Sequence, residues 1–229
     1  MMSHNGAVIM AQLDFARARF NMVEQQVRPW EVLDQQVLDL LFEIPREEFV
    51  PPAYRTLAFA DIQIPLAHDQ VMMSPKLEGR LLQTLQIKPS DNVLEIGTGS
   101  GYFTALLAKL AKRVESVDIY EDFIKTAERS LKAQHISNAC LSSGDAIAGW
   151  KTEVQYDVIV LTGSVPVLKP HFQNQLKLGG RLLAIVGTEP VMEARLITRV
   201  SDHEWQTDSL FETSLPALIG APVSQRFVF

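Results

Sequence analysis

The run Val93-Leu94-Glu95-Ile96-Gly97-Thr98-Gly99-Ser100-Gly101 limits what this 229-residue chain can fold into more than any other stretch. Val93, Leu94 and Ile96 read as a buried strand, and the apolar pattern from Phe103 to Leu110 reads as a helix. A strand that passes through a glycine turn into a helix is the first unit of an open α/β sheet. Glycine has no Cβ and tolerates positive φ, so a ligand can approach the backbone of such a turn closely. Ligands of open α/β sheets bind at the carboxyl ends of the strands, beside the switch in strand order. The turn is therefore a candidate site for a nucleotide-like cofactor, set against the plainer reading of a tight turn without a ligand.

The rest of the chain supports the sheet. Leu33, Val37, Leu40, Leu41 and Ile44 recur at helical spacing and predict a helix over Pro29 to Ile44. Pro45, Pro51 and Pro52 interrupt that pattern, and Ile62 to Pro65 reads as a short extended piece. Beyond Pro75, helices and short apolar strands alternate. A helix carrying Leu77, Leu81, Leu82 and Leu85 precedes the strand Asn92 to Ile96. The strand Val114 to Ile119, a helix carrying Phe123, Ile124, Ala127 and Leu131, and the strands Ala139 to Ser143, Tyr156 to Thr162 and Arg181 to Val186 follow. Gly179 and Gly180 read as a turn before the last of these. Ala194 to Val200 and Arg226 to Phe229 read as strands with no helix between them, which predicts an antiparallel edge. The expected architecture is α/β, a doubly wound, mostly parallel seven-stranded sheet, with residues 1–75 as an N-terminal helical and loop cap and 76–229 as the cofactor-binding domain.

Spacing separates two cofactor classes. A dinucleotide fingerprint needs glycine at its first, third and sixth positions, and the sixth position counted from Gly97 is Tyr102. Glycines at the first, third and fifth positions, with acidic Glu95 ahead of them, form the pattern shared by S-adenosyl-L-methionine enzymes. That cofactor has no pyrophosphate to cradle and carries an ammonium and a sulfonium, so an acidic neighbour suits it. Thr98 and Ser100 complete the turn. Asp118 ends the next strand, followed by Ile119, at the distance where one βα unit returns a carboxylate to ribose hydroxyls. Gly144-Asp145 closes the third strand and is placed to meet an adenine amino group, or else is a simple Asp turn. Thr162-Gly163-Ser164 closes the fourth strand and would face cofactor or substrate. His68 and His171 lie in no recognisable catalytic spacing and are assigned no role.

The net charge of -6 and pI near 5.4 disfavour a nucleic-acid partner. Cys140 is the only cysteine, so neither a disulfide nor a cysteine-based metal site can be assembled, and a reducing compartment fits. No secretion signal is read in Met1 to Phe20, and no apolar run approaches the ~20 residues of a membrane-spanning helix. A cytoplasmic protein without a membrane partner is expected.

Several blocks occur in one family's order: Met22-Val23-Glu24, Pro45-Arg46-Glu47-Glu48-Phe49-Val50-Pro51, Ala60-Asp61, Val93 to Tyr102, Gly144-Asp145, Gly149-Trp150, Tyr156-Asp157 and Gln175 to Gly187. From Asn21 to Gly187 the chain resembles the protein-L-isoaspartate O-methyltransferase family. The glycine turn is common to many methyltransferases, whereas the Pro45 to Pro51 block belongs more narrowly to this one. The resemblance implies a methyltransferase fold that binds S-adenosyl-L-methionine and methylates the stray carboxylate of L-isoaspartyl residues in damaged proteins or peptides, the first step of their repair. It places Gly97, Gly99 and Gly101 along the cofactor, Asp118 on the ribose, and Asp145 with Ala146 near the adenine; Ala146 replaces a glycine usual in the family.

The family also carries Ser, a variable residue and Pro ahead of the helix that precedes the glycine turn, with the Ser hydroxyl beside donor and acceptor. In Val71-Met72-Met73-Ser74-Pro75 that column holds Met73, and Ser74 stands next to it. Met73 is therefore expected beside the cofactor, and Ser74 is the candidate catalytic hydroxyl if the loop shifts by one residue. Other readings stay open: a methyltransferase with a different acceptor, a catalytically silent S-adenosyl-L-methionine-binding module and, least favoured, an NAD-dependent enzyme.

Overall fold

A computed structural model describes residues 15–222. Helical residues 15–21 run into a π-helical turn, Met22–Val27, and a 3-10 turn, Arg28–Trp30. Helix α1, Gln35–Glu43, starts later than the spacing predicts. Glu31 sits at φ 64 and breaks the turn, and Asp34 caps the new start by accepting from the Gln36 N–H at 2.8 Å. Leu33 is left outside the helix and 69% exposed, whereas Val37, Leu40, Leu41 and Ile44 are buried as expected. A small hairpin pairs β1, Ile64–Pro65, with β2, Val71–Met72.

The main sheet is built from β3 (Asn92–Ile96), β4 (Arg113–Asp118), β5 (Ala139–Ser143), β6 (Tyr156–Val165), β7 (Leu176–Thr188), β8 (Val191–Arg199) and β9 (Trp205–Thr213). Their order across the sheet is β5-β4-β3-β6-β7-β8-β9. The first five strands pair in parallel, and β7, β8 and β9 form an antiparallel meander. The antiparallel edge is thus present, but its outer strand is β9. Trp205–Thr213 escaped the sequence reading because the strand is half exposed and mostly polar, with no apolar alternation to mark it. Arg226 to Phe229 lies outside the described residues. Gly179 and Gly180 do not precede β7 as a turn; they lie within it as a bulge, where the pairing jumps from Tyr156–Leu176 to Val158–Arg181.

Helices α2 (Pro75–Leu85), α3 (Tyr102–Leu110) and α4 (Glu121–Ala133) cover one face of the sheet, where Val93, Val114, Val158, Val160, Leu183 and Ile185 point. The opposite face, with Leu94, Ile159, Leu161, Leu182 and Ala184, packs on Phe172 of the short helix α5 (Pro170–Asn174) and on Trp150 and Trp205. The segment ahead of Pro75 contributes Met22, Val27, Leu38 and Phe59 to the same cluster as the first face, so cap and sheet share one core. Among the described residues no helix is long and apolar enough to cross a membrane.

Arg46 joins these parts and has no exposed surface. Its Nε donates to the Ala58 carbonyl at 2.8 Å, its Nη2 to the Met73 carbonyl at 2.6 Å, and its Nη1 to the Glu78 carboxylate. The guanidinium also lies 4.8 Å from the centre of the Tyr102 ring. One side chain thus ties two cap segments, Met73 two residues ahead of α2, α2 itself and α3. Burial pushes the Glu78 carboxyl up, and the charge and hydrogen bond of Arg46 oppose that rise. An arginine does not deprotonate, so removing Glu78 strands a buried cation. Glu78→Leu should cost about 3–5 kcal/mol in urea unfolding, and the double variant Arg46→Met/Glu78→Leu should recover much of that loss.

Candidate functional site

Between β3 and β6 the direction of strand succession reverses, and the carboxyl ends of the strands there open a cleft, the place where such sheets bind ligands. The glycine turn forms its floor. Gly97, at φ 101, packs so tightly on Thr162 that a Cβ would lie 2.3 Å from Thr162 Oγ1. That hydroxyl donates to the Ile96 carbonyl at 2.9 Å and is also bonded to the Gly97 carbonyl. Thr162 reaches this position because β6 bulges between Val160 and Ser164, a common device for re-aiming a side chain at a site. At Gly99, φ is 52 and a Cβ would meet only Leu66 Cδ1, at 3.5 Å, so the backbone faces open cleft.

Asp118, 7% exposed, fixes the turn from the neighbouring strand. Its Oδ2 accepts from the Gly99 N–H at 2.8 Å and its Oδ1 from the Tyr120 N–H at 3.0 Å. Burial raises its pKa, these two N–H groups oppose the rise, and the Asp122 charge adds to it. Both oxygens keep lone pairs for a ligand hydroxyl. Ile119, Asp145, Ala146 and Thr162 line the same cleft, and Asp145 Oδ1 accepts from the Ile147 N–H at 3.0 Å. The cleft encloses about 690 Å³ including its mouth. Of the sequence-nominated residues, Gly97, Gly99, Asp118, Ile119, Asp145, Ala146 and Thr162 come together here.

The remaining nominated residues do not line it. Thr98 is buried and its hydroxyl bonds to Ser116 Oγ at 2.6 Å. Ser100 accepts from the Tyr102 N–H at 3.3 Å and borders an adjoining cavity walled by Phe49, Val50 and Pro51. Gly101 turns the chain into α3, where its Cα packs on Ala127. Met73 lies in the core, 5% exposed, with its carbonyl held by Arg46. Ser74 is the N-cap position of α2 and borders a separate cavity beside Trp30, Lys76, Arg80 and Phe211. The one-residue shift that would carry the Ser74 hydroxyl to the cleft is therefore not made. Pro75 opens the helix immediately after it, and the Arg46 bond pins the residue before it.

Two walls of the cleft went unnoticed in the sequence. Leu66, Gln70 and Val71 come from the small hairpin, and Leu215, Pro216, Leu218 and Ile219 from the segment after β9. The latter docks along β6 through the Ser164 N–H to the Pro216 carbonyl and the Leu218 N–H to the Ser164 carbonyl, both 2.9 Å. No local pattern announces such long-range pairing; Gly163 was its one trace, since a Cβ there would collide with Leu218 at 2.8 Å.

Glu95 lies beneath the turn with no exposed surface. Its Oε2 accepts from the Thr104 and Ser116 hydroxyls, and Oε1 has no partner among the described residues. Burial pushes this carboxyl from an ordinary 4.5 up to about 8; the bonds from Ser116 and Thr104 oppose the rise and the Asp118 charge adds to it. The fold thus retains a proton that the unfolded chain releases at lower pH. Between those two values the unfolded state binds fewer protons, so stability falls as pH rises through the window and levels off above it. Glu95→Gln abolishes this titration. Urea unfolding should show the wild type losing ground to Glu95→Gln from pH 4.5 to pH 8, whereas parallel curves would mean that Glu95 is ionised in the fold.

Comparison with known proteins agrees with this geometry. A family model described as Protein-L-isoaspartate(D-aspartate) O-methyltransferase matches residues 18–218. A Syntrophus aciditrophicus protein named protein-L-isoaspartate O-methyltransferase is 35% identical over 208 residues, 90% of this chain and 95% of its own. A Gloeobacter violaceus protein of the same name is 38% identical over 168 residues, 73% of this chain and 82% of its own. Among solved structures, a Plasmodium falciparum protein described as a candidate enzyme of this kind, in complex with S-adenosyl-L-homocysteine, shares the fold with a TM-score of 0.73 at 17% identity, over 89% of this chain and 97% of its own. With the switch-point cleft, the carboxylate-anchored glycine turn and these matches together, the chain belongs to the protein-L-isoaspartate(D-aspartate) O-methyltransferase family.

Proposed function

We propose that this chain binds S-adenosyl-L-methionine in the switch-point cleft and transfers its methyl group to the carboxylate of L-isoaspartyl residues in peptides and damaged proteins. The observation that carries the cofactor assignment is the charge of the cleft. Asp118 and Asp145 line it, and no Lys or Arg does among the described residues. Carboxylates are acceptors for ribose hydroxyls and an adenine amino group, and they favour a ligand with net positive charge. The dinucleotide reading is disfavoured by the glycine spacing, with Tyr102 where the third glycine would stand, and by the family membership. The apolar walls Ile96, Val117 and Phe123 suit an adenosine ring, and the open face of Gly99 leaves room for the ligand against the backbone. The family membership and the S-adenosyl-L-homocysteine held by the Plasmodium relative support the same reading.

When bound, the cofactor supplies a methyl group on a sulfonium. Asp118 would hold the ribose, Asp145 with Ala146 the adenine end, and Gly97 and Gly99 the approach of the chain's backbone. An acceptor carboxylate is ionised at neutral pH, so transfer requires alignment and exclusion of water rather than a general base. The hairpin wall Leu66–Val71 and the docked segment Leu215–Ile219 would supply that alignment, with residues 1–75 acting as a cap and 76–229 as the cofactor-binding unit. The exposed, unpaired Cys140 supports a reducing, cytoplasmic compartment, and the acidic cleft together with the net charge of -6 supports a peptide over a nucleic-acid partner.

The placement of Met73 and Ser74 outside the cleft favours one second reading, a methyltransferase with another acceptor. Incubation with labelled S-adenosyl-L-methionine and an isoaspartyl peptide, beside its aspartyl counterpart and a panel of small acceptors, separates the two. Label in the isoaspartyl peptide alone is expected, and cofactor binding with label only in another acceptor would replace the substrate assignment. Ser74→Ala should keep kcat/KM within about threefold of wild type, because its hydroxyl is not at the reacting atoms; a loss of about a hundredfold would put it there. Gly99→Val should weaken S-adenosyl-L-homocysteine binding by about tenfold or more in calorimetry, since a β-branched side chain resists positive φ and enters the cleft.

A further inference from the structure

His68, which had no role in the sequence reading, bridges two walls of the cleft. It stands at the tip of the turn between β1 and β2, where His68 and Asp69 adopt φ 57 and 56, consecutive left-handed residues with no glycine to favour them. Leu66 closes the turn by donating from its N–H to the Gln70 carbonyl at 2.8 Å, and the Gln70 side chain donates to the His68 carbonyl at 3.0 Å. The imidazole projects across to the start of α4. It stacks on Tyr120 at 3.9 Å between ring centres with planes 5° apart, meets Phe123 edge-on at 5.5 Å, and places Nε2 3.0 Å from both oxygens of Asp122. Asp122 responds to it, the hydrogen bond from His68 holding its carboxyl below the usual range.

The two sides so joined are the two sides of the cleft. Leu66, Gln70 and Val71 line it from the hairpin, and Asp118, Tyr120 and Phe123 line it from β4 and α4. The ladder of the hairpin is short, with the pairs Ile64–Met72 and Pro65–Val71 beyond the closing Leu66–Gln70 bond. A ligand seated on Asp118 would lie under a turn whose tip is fastened by one imidazole.

We infer that His68 is a positioning residue that latches the Leu66–Gln70 turn over the bound cofactor through Tyr120 and Asp122, and that release of this latch governs how fast the spent cofactor leaves. The inference rests on the cleft being the S-adenosyl-L-methionine site. Fastening on the far side of the ligand acts on escape more than on the contacts the ligand makes, so it should appear in the dissociation rate.

The experiment measures dissociation of S-adenosyl-L-homocysteine from the full chain by stopped-flow displacement, with thermal unfolding in parallel. His68→Ala should raise the dissociation rate about tenfold with little change in Tm, because both latch side chains are substantially exposed. Asp122→Asn, which keeps shape and removes charge, should raise it less, and the double variant should add little to His68→Ala because both act on one contact. An unchanged rate in His68→Ala, with binding intact, overturns the latch and leaves the cofactor assignment standing. Failure of the wild type to bind S-adenosyl-L-homocysteine at all removes both.

Discussion

The buried ion pair of Arg46 and Glu78 is the constraint from which the geometry of the site follows. A guanidinium without solvent must have its donors satisfied, and Arg46 finds them in the Ala58 carbonyl, the Met73 carbonyl and Glu78, none of which is its sequence neighbour. Meeting that demand holds the cap against α2, pins Met73 two residues ahead of that helix, and places Tyr102, the first residue after the glycine turn, beneath the cation. The Pro45 to Pro51 block is thus a structural signature first. It holds α2 and α3 in place through Glu78 and Tyr102, and none of its residues lines the switch-point cleft.

A second layer of constraint lies in the turn. Asp118 spends one lone pair of each oxygen on the Gly99 and Tyr120 N–H groups, so the residue offered to a ligand also holds the floor against which the ligand would rest. Thr162 performs the matching task from the other side, gripping the Ile96 and Gly97 carbonyls from a bulged β6. Below both, Glu95 ties α3 to β4 through Thr104 and Ser116. The acid ahead of the glycines therefore serves the internal joinery of the turn, and the carboxylates that face the cleft are Asp118 and Asp145.

At the acceptor end the chain departs from its family's pattern, and the structure gives the departure a definite form. Met73 fills core space and Ser74 opens on a different cavity, so the hydroxyl associated with this column is absent from the cleft. Methyl transfer to a carboxylate does not need a base, so the chemistry is compatible with that loss. On the proposed reading, alignment would fall to the walls supplied by the hairpin and by the segment after β9.

Short windows of sequence encode the strand-turn-helix unit, the strands β3 to β6 and the middle of β7, the helices α2 to α4, and the acidic residue that ends β4, but not the short helix α5. Each is encoded within a short window, by apolar period, by glycine and by the return distance of one βα unit. β3 and the core of β6 are legible because they are buried on both faces and so read as apolar runs, whereas β5 is half exposed and β7 begins at Leu176, ahead of the glycines that suggested a turn. Where a strand lay half in solvent, as β9 does, the period faded and the reading missed it; where Glu31 and Asp34 broke the helical pattern, Leu33 misled it. That Met73 faces the core, that Ser74 borders another cavity, that Leu215 to Ile219 walls the cleft, and that His68 stacks on Tyr120 beside Asp122 are outcomes of the folded packing. Those outcomes depend on contacts between residues far apart in the chain, above all the buried charge of Arg46, whose partners no local pattern names.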